Sequence, residues 1–292
     1  MDFLQRMNNA LDYIESNLEG DVNYKIAADL AFCSVSYFQR MFSLLTDITL
    51  SEYIRRRRMT LAAFELQNKN VKIIDLAIKY GYESPDSFSR AFQSLHGVMP
   101  SIARNKGISL KAYPRLTFHI SIKGDVEMNY RIESKEEFRI VGVKRSFQGP
   151  SDDESVVPLF WDEIYSNGCF QEMLKISTGT PKGVHGFIRV FDESKVDYTI
   201  ACLSDKEPPE GMVSQVIPKS TWAIFELGGP VNTAMAEAWK RIFSEWLPAS
   251  NYEYAETVDI ECFPYYGDKR ASDFKFEIWL PIIEKIKNSR DI

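Results

Sequence analysis

The first hundred residues of this 292-residue chain repeat themselves at an offset of 50. Ser34, Phe38, Arg40 and Phe42 recur as Ser84, Phe88, Arg90 and Phe92, Ile26-Ala27 as Leu76-Ala77, Leu45 as Leu95, and Ser51 as Ser101. A repeat of this length is one supersecondary unit used twice. In the second copy Ile73, Ile74, Ala77, Ile78 and Tyr80 form a helical apolar stripe that stops at Gly81. Ser84 then stands at an N-cap with Pro85 in the first helical position. Phe88, Phe92 and Leu95 recur at three- and four-residue steps and face inward, leaving Asp86, Ser87, Ser89 and Arg90 outward. In the first copy Phe38, Phe42 and Leu45 face inward, and Ser36, Tyr37, Gln39 and Arg40 are expected at the surface. Each copy reads as helix, tight turn, helix, with a polar second helix suited to a DNA major groove. A plain helical bundle would explain the buried Phe and Leu but not the polar outer face.

Between the copies runs a helix over Leu50–Leu66, periodic in Leu50, Tyr53, Ile54, Leu61 and Phe64. It carries Arg55, Arg56, Arg57 and Arg58. Four adjacent arginines spread around most of the circumference, so one or two pair internally while others, Arg55 and Arg57 by assignment, reach phosphates. Charge agrees in sign: Val22–Lys106 holds 12 basic and 7 acidic residues, whereas the stretch after Leu110 holds 22 against 29. All five tryptophans lie in that acidic remainder. Two domains with different partners are expected.

The front block resembles the DNA-binding domain of the AraC/XylS family of bacterial transcription regulators. The resemblance covers about residues 5–106. It is carried by Phe38-Gln39-Arg40-Met41-Phe42, Tyr53-Ile54-Arg55 with Arg58-Met59, Ile74-Asp75-Leu76-Ala77, Tyr80-Gly81-Tyr82-Glu83-Ser84, Phe88-Ser89-Arg90-Ala91-Phe92 and Pro100. It implies double-stranded DNA as partner, with the two units entering successive major grooves about 34 Å apart. RNA polymerase is the expected protein partner and activation the expected direction. Phe32, at a turn position where glycine is common, and Ser101-Ile102-Ala103-Arg104 depart from the family pattern.

Beyond Lys106-Gly107 the helical pattern stops, and strand-like stretches begin near Glu127. Phe160-Trp161-Asp162-Glu163-Ile164 resembles Ala238-Trp239-Lys240-Arg241-Ile242. Each helix follows a strand (Phe138–Phe147 and Ser220–Leu227). Each precedes two more, Val184–Phe191 with Tyr198–Leu203 and Asp259–Phe263 with Phe274–Leu280. The expected organisation is multidomain: an all-α double helix-turn-helix domain over 1–107, a linker over 108–124, and an α+β domain of two βαββ repeats over 125–292.

This second half is similar to the GyrI-like effector-binding domain. The similarity rests on Gly228-Gly229-Pro230, Trp239, Trp246-Leu247-Pro248, Asp259-Ile260-Glu261-Cys262-Phe263 and Phe276-Glu277-Ile278-Trp279-Leu280-Pro281-Ile282. It implies a central cleft for a small organic effector, with Glu261 in the place of the family's cleft glutamate. Glu277 is the second acidic candidate, and Cys262-Phe263 departs from the commoner Val-Tyr type. Alternation puts Glu261 with Asp259 and Phe263 on one strand face, and Glu277 with Lys275 and Trp279 on one face of another. A carboxylate in an aromatic wall suits a lipophilic cation. Trp222 and Trp279 are taken as its cleft aromatics, and Trp161, Trp239 and Trp246 as core. The bland alternative is a solvated strand face with Lys275 or Lys269 nearby.

Several classes of function are set aside. His96, His119 and His185 lack ligand spacing, and the four cysteines form no CxxC, so no metal and no cofactor is expected. No phosphate loop, dinucleotide fingerprint or GxSxG occurs. No run reaches the ~18 apolar residues that span a bilayer, and Met1–Arg6 shows no signal-peptide pattern, so a cytoplasmic protein without a membrane partner is expected. Small-molecule hydrolysis by Glu261 and Glu277 is the runner-up to a non-enzymatic sensor; a DNA binder with an inert second domain is the third reading.

Overall fold

The computed structural model describes residues 3–68, 70–105, 107–118, 127–147, 156–192, 195–264 and 267–285. The chain divides into two compact units, Met1–Ser121 and Ile122–Ile292.

Among the described residues the first unit is all helix: α1 (Phe3–Ser16), α2 (Tyr24–Ala31), α3 (Val35–Thr46), α4 (Leu50–Asn68), α5 (Ile73–Lys79), α6 (Pro85–His96) and the short α7 (Pro100–Ala103). Side-chain caps start four of them, Thr49 doing so for α4 by accepting from Glu52 N–H. Asn23 accepts hydrogen bonds from the Lys25 and Ile26 amides, and Ser34 from Tyr37 N–H. Ser84, the N-cap expected from the sequence, closes a capping box with Ser87 at the start of α6. Each turn passes through a left-handed residue, Gly81 (φ 75°) in the second copy but Phe32 (φ 59°) in the first. A side chain in that conformation costs about 1–2 kcal/mol.

The α4 helix is the spine of both copies. Its Tyr53 packs on Phe42 of α3, ring centroids 5.4 Å apart. Its Met59, Ala62, Ala63 and Leu66 join Leu76, Ala77, Tyr80, Phe88, Phe92 and Leu95 in the second core. Three expected stripe members, Phe64, Ile74 and Ile78, are exposed instead. In α5 the seven residues bury only Leu76 and Ala77, a seam narrower than the sequence stripe. Of the stretch taken as linker, the part up to residue 118 lies along α1 and α4. Tyr113 N–H donates to Thr60 Oγ1, Leu116 N–H to the Tyr53 hydroxyl and Phe118 N–H to Asn8 Oδ1.

The second unit, among its described residues, is a nine-stranded antiparallel sheet with helices on one face. In chain order it runs β1 (Tyr130–Lys135), β2 (Phe138–Phe147), α8 (Val156–Ser166), α9 (Cys169–Ile176), β3 (His185–Asp192), β4 (Lys195–Leu203), β5 (Val213–Ile217) and β6 (Ser220–Gly228). Then come α10 (Val231–Arg241), a π-helical turn (Ile242–Trp246), α11 (Leu247–Ala249), β7 (Tyr252–Tyr254), β8 (Asp259–Cys262) and β9 (Lys275–Glu284). The strand order, β1-β6-β9-β8-β3-β4-β2-β5 with β7 on β9, is a palindrome of the two expected βαββ units. Each unit is preceded by a strand that sequence inspection missed, and that strand crosses over: β1 pairs with β6, and β5 with β2. The halves meet where β3 pairs with β8.

Both faces of the sheet are buried. Between helices and sheet, Phe160, Trp161 and Ile164 of α8 and Met173 of α9 pack with Tyr198, Ile200, Phe263 and Phe276. The other face holds Ile140, Phe187, Trp222, Ile224, Ile260, Cys262 and Trp279. There the sheet curls on itself: the rings of Phe138 (β2) and Trp222 (β6) stand 6.0 Å apart although β9, β8, β3 and β4 lie between them in the path.

Candidate functional site

Two surfaces were marked by the sequence, and the structure redistributes the residues of both. In the second helix-turn-helix copy Asp86 and Arg90 are exposed on α6, Ser89 is half-buried, and Ser87 is half-buried in the capping box, its hydroxyl held by Ser84 rather than displayed. Gln93, one turn beyond Arg90, is also exposed and completes a ridge that the repeat comparison overlooked. In the first copy Ser36 and Arg40 are half-buried, but Tyr37 and Gln39 are buried, Gln39 to 4% exposure. Tyr37, Phe38 and Gln39 together span about 200° of the helix. α3 is therefore covered well beyond its core stripe, which a 3.6-residue period cannot foretell.

The arginine run separates into two pairs. Arg55 forks onto Glu52 (2.7 and 3.0 Å), Arg56 shares that carboxylate (2.5 Å), and both remain partly exposed. Arg57, assigned above to phosphate, is instead half-buried with its side chain 11% exposed, Nε and Nη2 donating to Glu15 (2.9 and 2.8 Å) and Nη1 to Tyr113 C=O. Arg58 donates to the backbone oxygens of Leu18 and Gly20. Burial works to raise the Glu15 pKa, yet hydrogen bonds from Arg57 and Tyr53 win and hold it below the usual carboxylate range. Arg57 and Arg58 thus fasten α4 to α1 and the turn after it.

In the second unit the decisive group is Glu261 at the seam between the halves. It is buried to 8% exposure on the helix-covered face. The Tyr198 hydroxyl donates to its Oε2 at 2.6 Å and itself accepts from Trp161 Nε1 at 3.0 Å. The Trp239 side chain is a further hydrogen-bond donor to the carboxyl. Trp161 and Trp239, the matching residues of the two repeats, therefore converge on one carboxylate–phenol pair; they are polar members of the site rather than plain core. Phe263 packs edge-on against Trp161, centroids 5.4 Å apart, and Lys269 extends over both rings.

Space for this pair exists because position 186 is glycine. A Cβ there would overlap the Tyr198 hydroxyl and stand 3.1 Å from Glu261 Oε2. Burial pushes the Glu261 pKa upward, against the Tyr198 hydrogen bond, the Lys269 charge and Trp239. Burial also raises Tyr198 well above the usual phenol value, and Glu261 adds to the rise. His185, close by, accepts from Phe263 N–H and is pushed down to about 4 by burial, so it is neutral at pH 7.

Glu277, Trp222 and Trp279 do not line this site. The register sets Glu261 opposite Ile278 and Cys262 opposite Glu277, so Glu277 and Trp279 project from the other face. There Glu277 accepts from Trp279 Nε1 (2.7 Å) and pairs with Arg131 (2.8 Å). Trp222 (0% exposed) and Trp279 (3%) fill the curl of the sheet. A cavity of about 440 Å³ opens on that side, lined among others by Lys144, Phe187, Arg189, Asp197 and Val258. Lys144 and Asp197 are paired there, with Ser146 donating to the same carboxylate.

Comparison with known proteins agrees with the two-part architecture. Residues 131–282 match the family described as integron-associated effector binding protein, and residues 27–106 match a helix-turn-helix domain family. The Tn10 TetD protein of Escherichia coli is 39% identical over 107 residues, 36% of this chain and 78% of TetD. The transcriptional activator AarP of Providencia stuartii is 37% identical over 98 residues, 34% of this chain and 73% of its own. The regulatory protein SoxS of Salmonella typhimurium is 36% identical over 106 residues, 36% of this chain and 99% of its own. Among solved structures, SAV2435 bound to tetraphenylphosphonium aligns with 53% of this chain and 94% of its own, at TM-score 0.49 and 19% identity.

Proposed function

Since the chain belongs to the AraC-type helix-turn-helix transcription regulators and carries an effector-binding domain of the integron-associated, GyrI-like family, we propose that it activates transcription in response to a lipophilic organic cation. The observation that carries this reading is the buried Glu261 carboxyl, bonded to Tyr198 and Trp239 beside the rings of Trp161 and Phe263. A carboxylate among ring faces rewards positive charge combined with flat or bulky apolar surface, and disfavours anions. The cavity on the opposite face sets Lys144 and Arg189 against the carboxylate of Asp197, a balance that disfavours a cation. Hydrolysis by paired carboxylates is disfavoured because Glu261 and Glu277 project from opposite faces.

On the DNA side, α6 reads base edges through Asp86, Arg90 and Gln93. Ser36 and Arg40 of α3 reach the neighbouring groove, and Arg55 a phosphate. RNA polymerase is the partner through which activation acts, in keeping with the activator AarP among the relatives.

Two experiments test the halves separately. Sites selected from random DNA should be bound by Arg90→Ala about 1–3 kcal/mol more weakly, with relaxed preference at one position. Equal loss on unselected DNA would make Arg90 a phosphate contact. Calorimetric titration with tetraphenylphosphonium should show at least tenfold weaker binding by Glu261→Gln, and little change for uncharged triphenylphosphine oxide. Equal affinity of both proteins for the cation would end the effector reading.

A further inference from the structure

The aromatic box beside Glu261 already holds a cation, and it belongs to the chain. Lys269 Nζ stands 3.7 Å from the Trp161 ring centroid, 3.9 Å from that of Phe263 and 5.5 Å from that of Tyr165. Glu261 acts on it through charge, opposing the burial that lowers its pKa to about 8. Its neighbours Asp268 and Arg270 are exposed, so Lys269 is the inward-pointing side chain of a surface turn. That turn is bound by its backbone to the start of α10: Val231 N–H donates to Lys269 C=O and Gly229 N–H to Phe274 C=O, both at 2.9 Å. α10 in turn carries Trp239, a donor to Glu261.

An ammonium stacked on two ring faces near a buried carboxylate is what a bound lipophilic cation would look like. We propose that Lys269 is a tethered occupant of the effector site, and that a cationic effector binds by displacing its ammonium from the rings of Trp161 and Phe263. This rests on the reading of the Glu261 cluster as the effector site. In the free protein Lys269 supplies the positive charge that a buried carboxylate requires. On binding, the effector supplies it, and Lys269 swings to solvent on the turn that is hydrogen-bonded to α10. An intramolecular cation competes at high effective concentration, so small polar amines cannot enter. Ligands that offer large apolar surface along with charge can. The displacement also couples occupancy to the position of α10, through Val231 and Trp239.

The test uses the full chain, tetraphenylphosphonium as cation and triphenylphosphine oxide as uncharged probe. Lys269→Met keeps the stem and removes the charge; Lys269→Gln is the second variant, so that a folding defect in one does not decide the outcome. If the box is closed by Lys269 about nine-tenths of the time or more, removal of the ammonium should tighten cation binding about tenfold or more. The uncharged probe needs the same rings cleared and should gain by a similar factor; a gain confined to the cation would mean that Lys269 only repels it through charge, and would overturn displacement. Selectively labelled wild type should show Lys269 Hε signals shifted by the ring currents of Trp161, returning to ordinary lysine positions as the cation saturates. Cation binding unchanged or weakened in both variants, or a ring-current shift that persists at saturation, overturns the displacement. The two readings fail separately. Loss of affinity in Glu261→Gln without gain in the Lys269 variants removes displacement alone. No cation binding by wild type or either variant removes the effector site and displacement together.

Discussion

Replacing Tyr198 by Phe removes one oxygen from the centre of the second unit, and with it two hydrogen bonds. That oxygen accepts from Trp161 Nε1 at 3.0 Å and donates to Glu261 Oε2 at 2.6 Å. Both partners are buried, so neither finds water as a substitute. A buried polar group left unsatisfied costs about 1–3 kcal/mol, and more when charged. The Glu261 carboxyl can relieve part of this by taking up a proton, since burial already holds its pKa high. The expected loss is about 2–4 kcal/mol. Urea unfolding monitored by tryptophan fluorescence measures it cleanly, because all five tryptophans belong to the second unit. With a urea slope of about 2–3 kcal/mol/M the midpoint should fall by roughly 1 M. In a Glu261→Gln background the loss should shrink by about 1 kcal/mol or more, since the charged acceptor is gone. A midpoint within about 0.2 M of wild type would refute the reasoning: the hydroxyl would then not be a buried bridge.

Arg57→Ala should destabilise the first unit by about 3–5 kcal/mol by stranding Glu15, while the salt slope of DNA binding by the folded fraction stays as in wild type; a lower slope would return Arg57 to the phosphates. The Glu15 pKa is lowered in the folded state, so its stabilisation is complete above its ordinary value of 4.5 and is lost as pH falls through the folded value; helix content tracked by circular dichroism in acid should show a later loss in wild type than in Arg57→Ala. Phe32→Gly should stabilise the first unit by about 1 kcal/mol, relief of the left-handed backbone outweighing the exposed contact with Arg6, as read by thermal unfolding. Cation affinity should rise by about tenfold between pH 6.5 and 9, because Lys269, at about 8, loses its charge and with it its competition for the rings; Tyr198 and Tyr165 are raised, and His185 at about 4 stays neutral, so a flat calorimetric profile would exclude this role of Lys269.

The helix-turn-helix copies are legible in the sequence because their signals are local. N-caps, a glycine stop and a three-to-four apolar step lie within one stretch of chain; α2, α3 and α6 start at their caps, and α5 ends just before Gly81 although its buried seam is narrower than its stripe. The six strands of the two βαββ units are legible for the same reason, whereas β1, β5, β7 and α9 are not. Pairing register is not. Alternation correctly puts Glu261 with Phe263, and Glu277 with Trp279, but which pair shares a face is decided by whether Glu261 meets Ile278 or its neighbour. A shift of one residue exchanges the two sets, and nothing in either strand announces it. Tyr198 escapes notice because it approaches Glu261 from 63 residues away. The burial of Gln39 and Tyr37 is hidden for a related reason, since periodicity marks the stripe a helix turns to its core and is silent about what covers its flanks. Gly186 carries a signal that sequence inspection passed over: an unexplained Gly within a strand marks a close approach.

The crossed leading strands give this protein a schedule. During synthesis β1 emerges directly after the helical unit, but its partner β6 lies almost a hundred residues downstream, as the 95-residue span between Arg131 and Glu226 shows. At about 5–20 residues per second the ribosome needs on the order of 5–20 s to deliver it. Throughout that interval the DNA-binding unit, which ends at Ser121, can already be folded while the effector-binding unit is an open edge. A regulator assembled in this order exists briefly as a DNA-binding fragment without its effector-binding domain, and any pause of translation within that window lengthens that state.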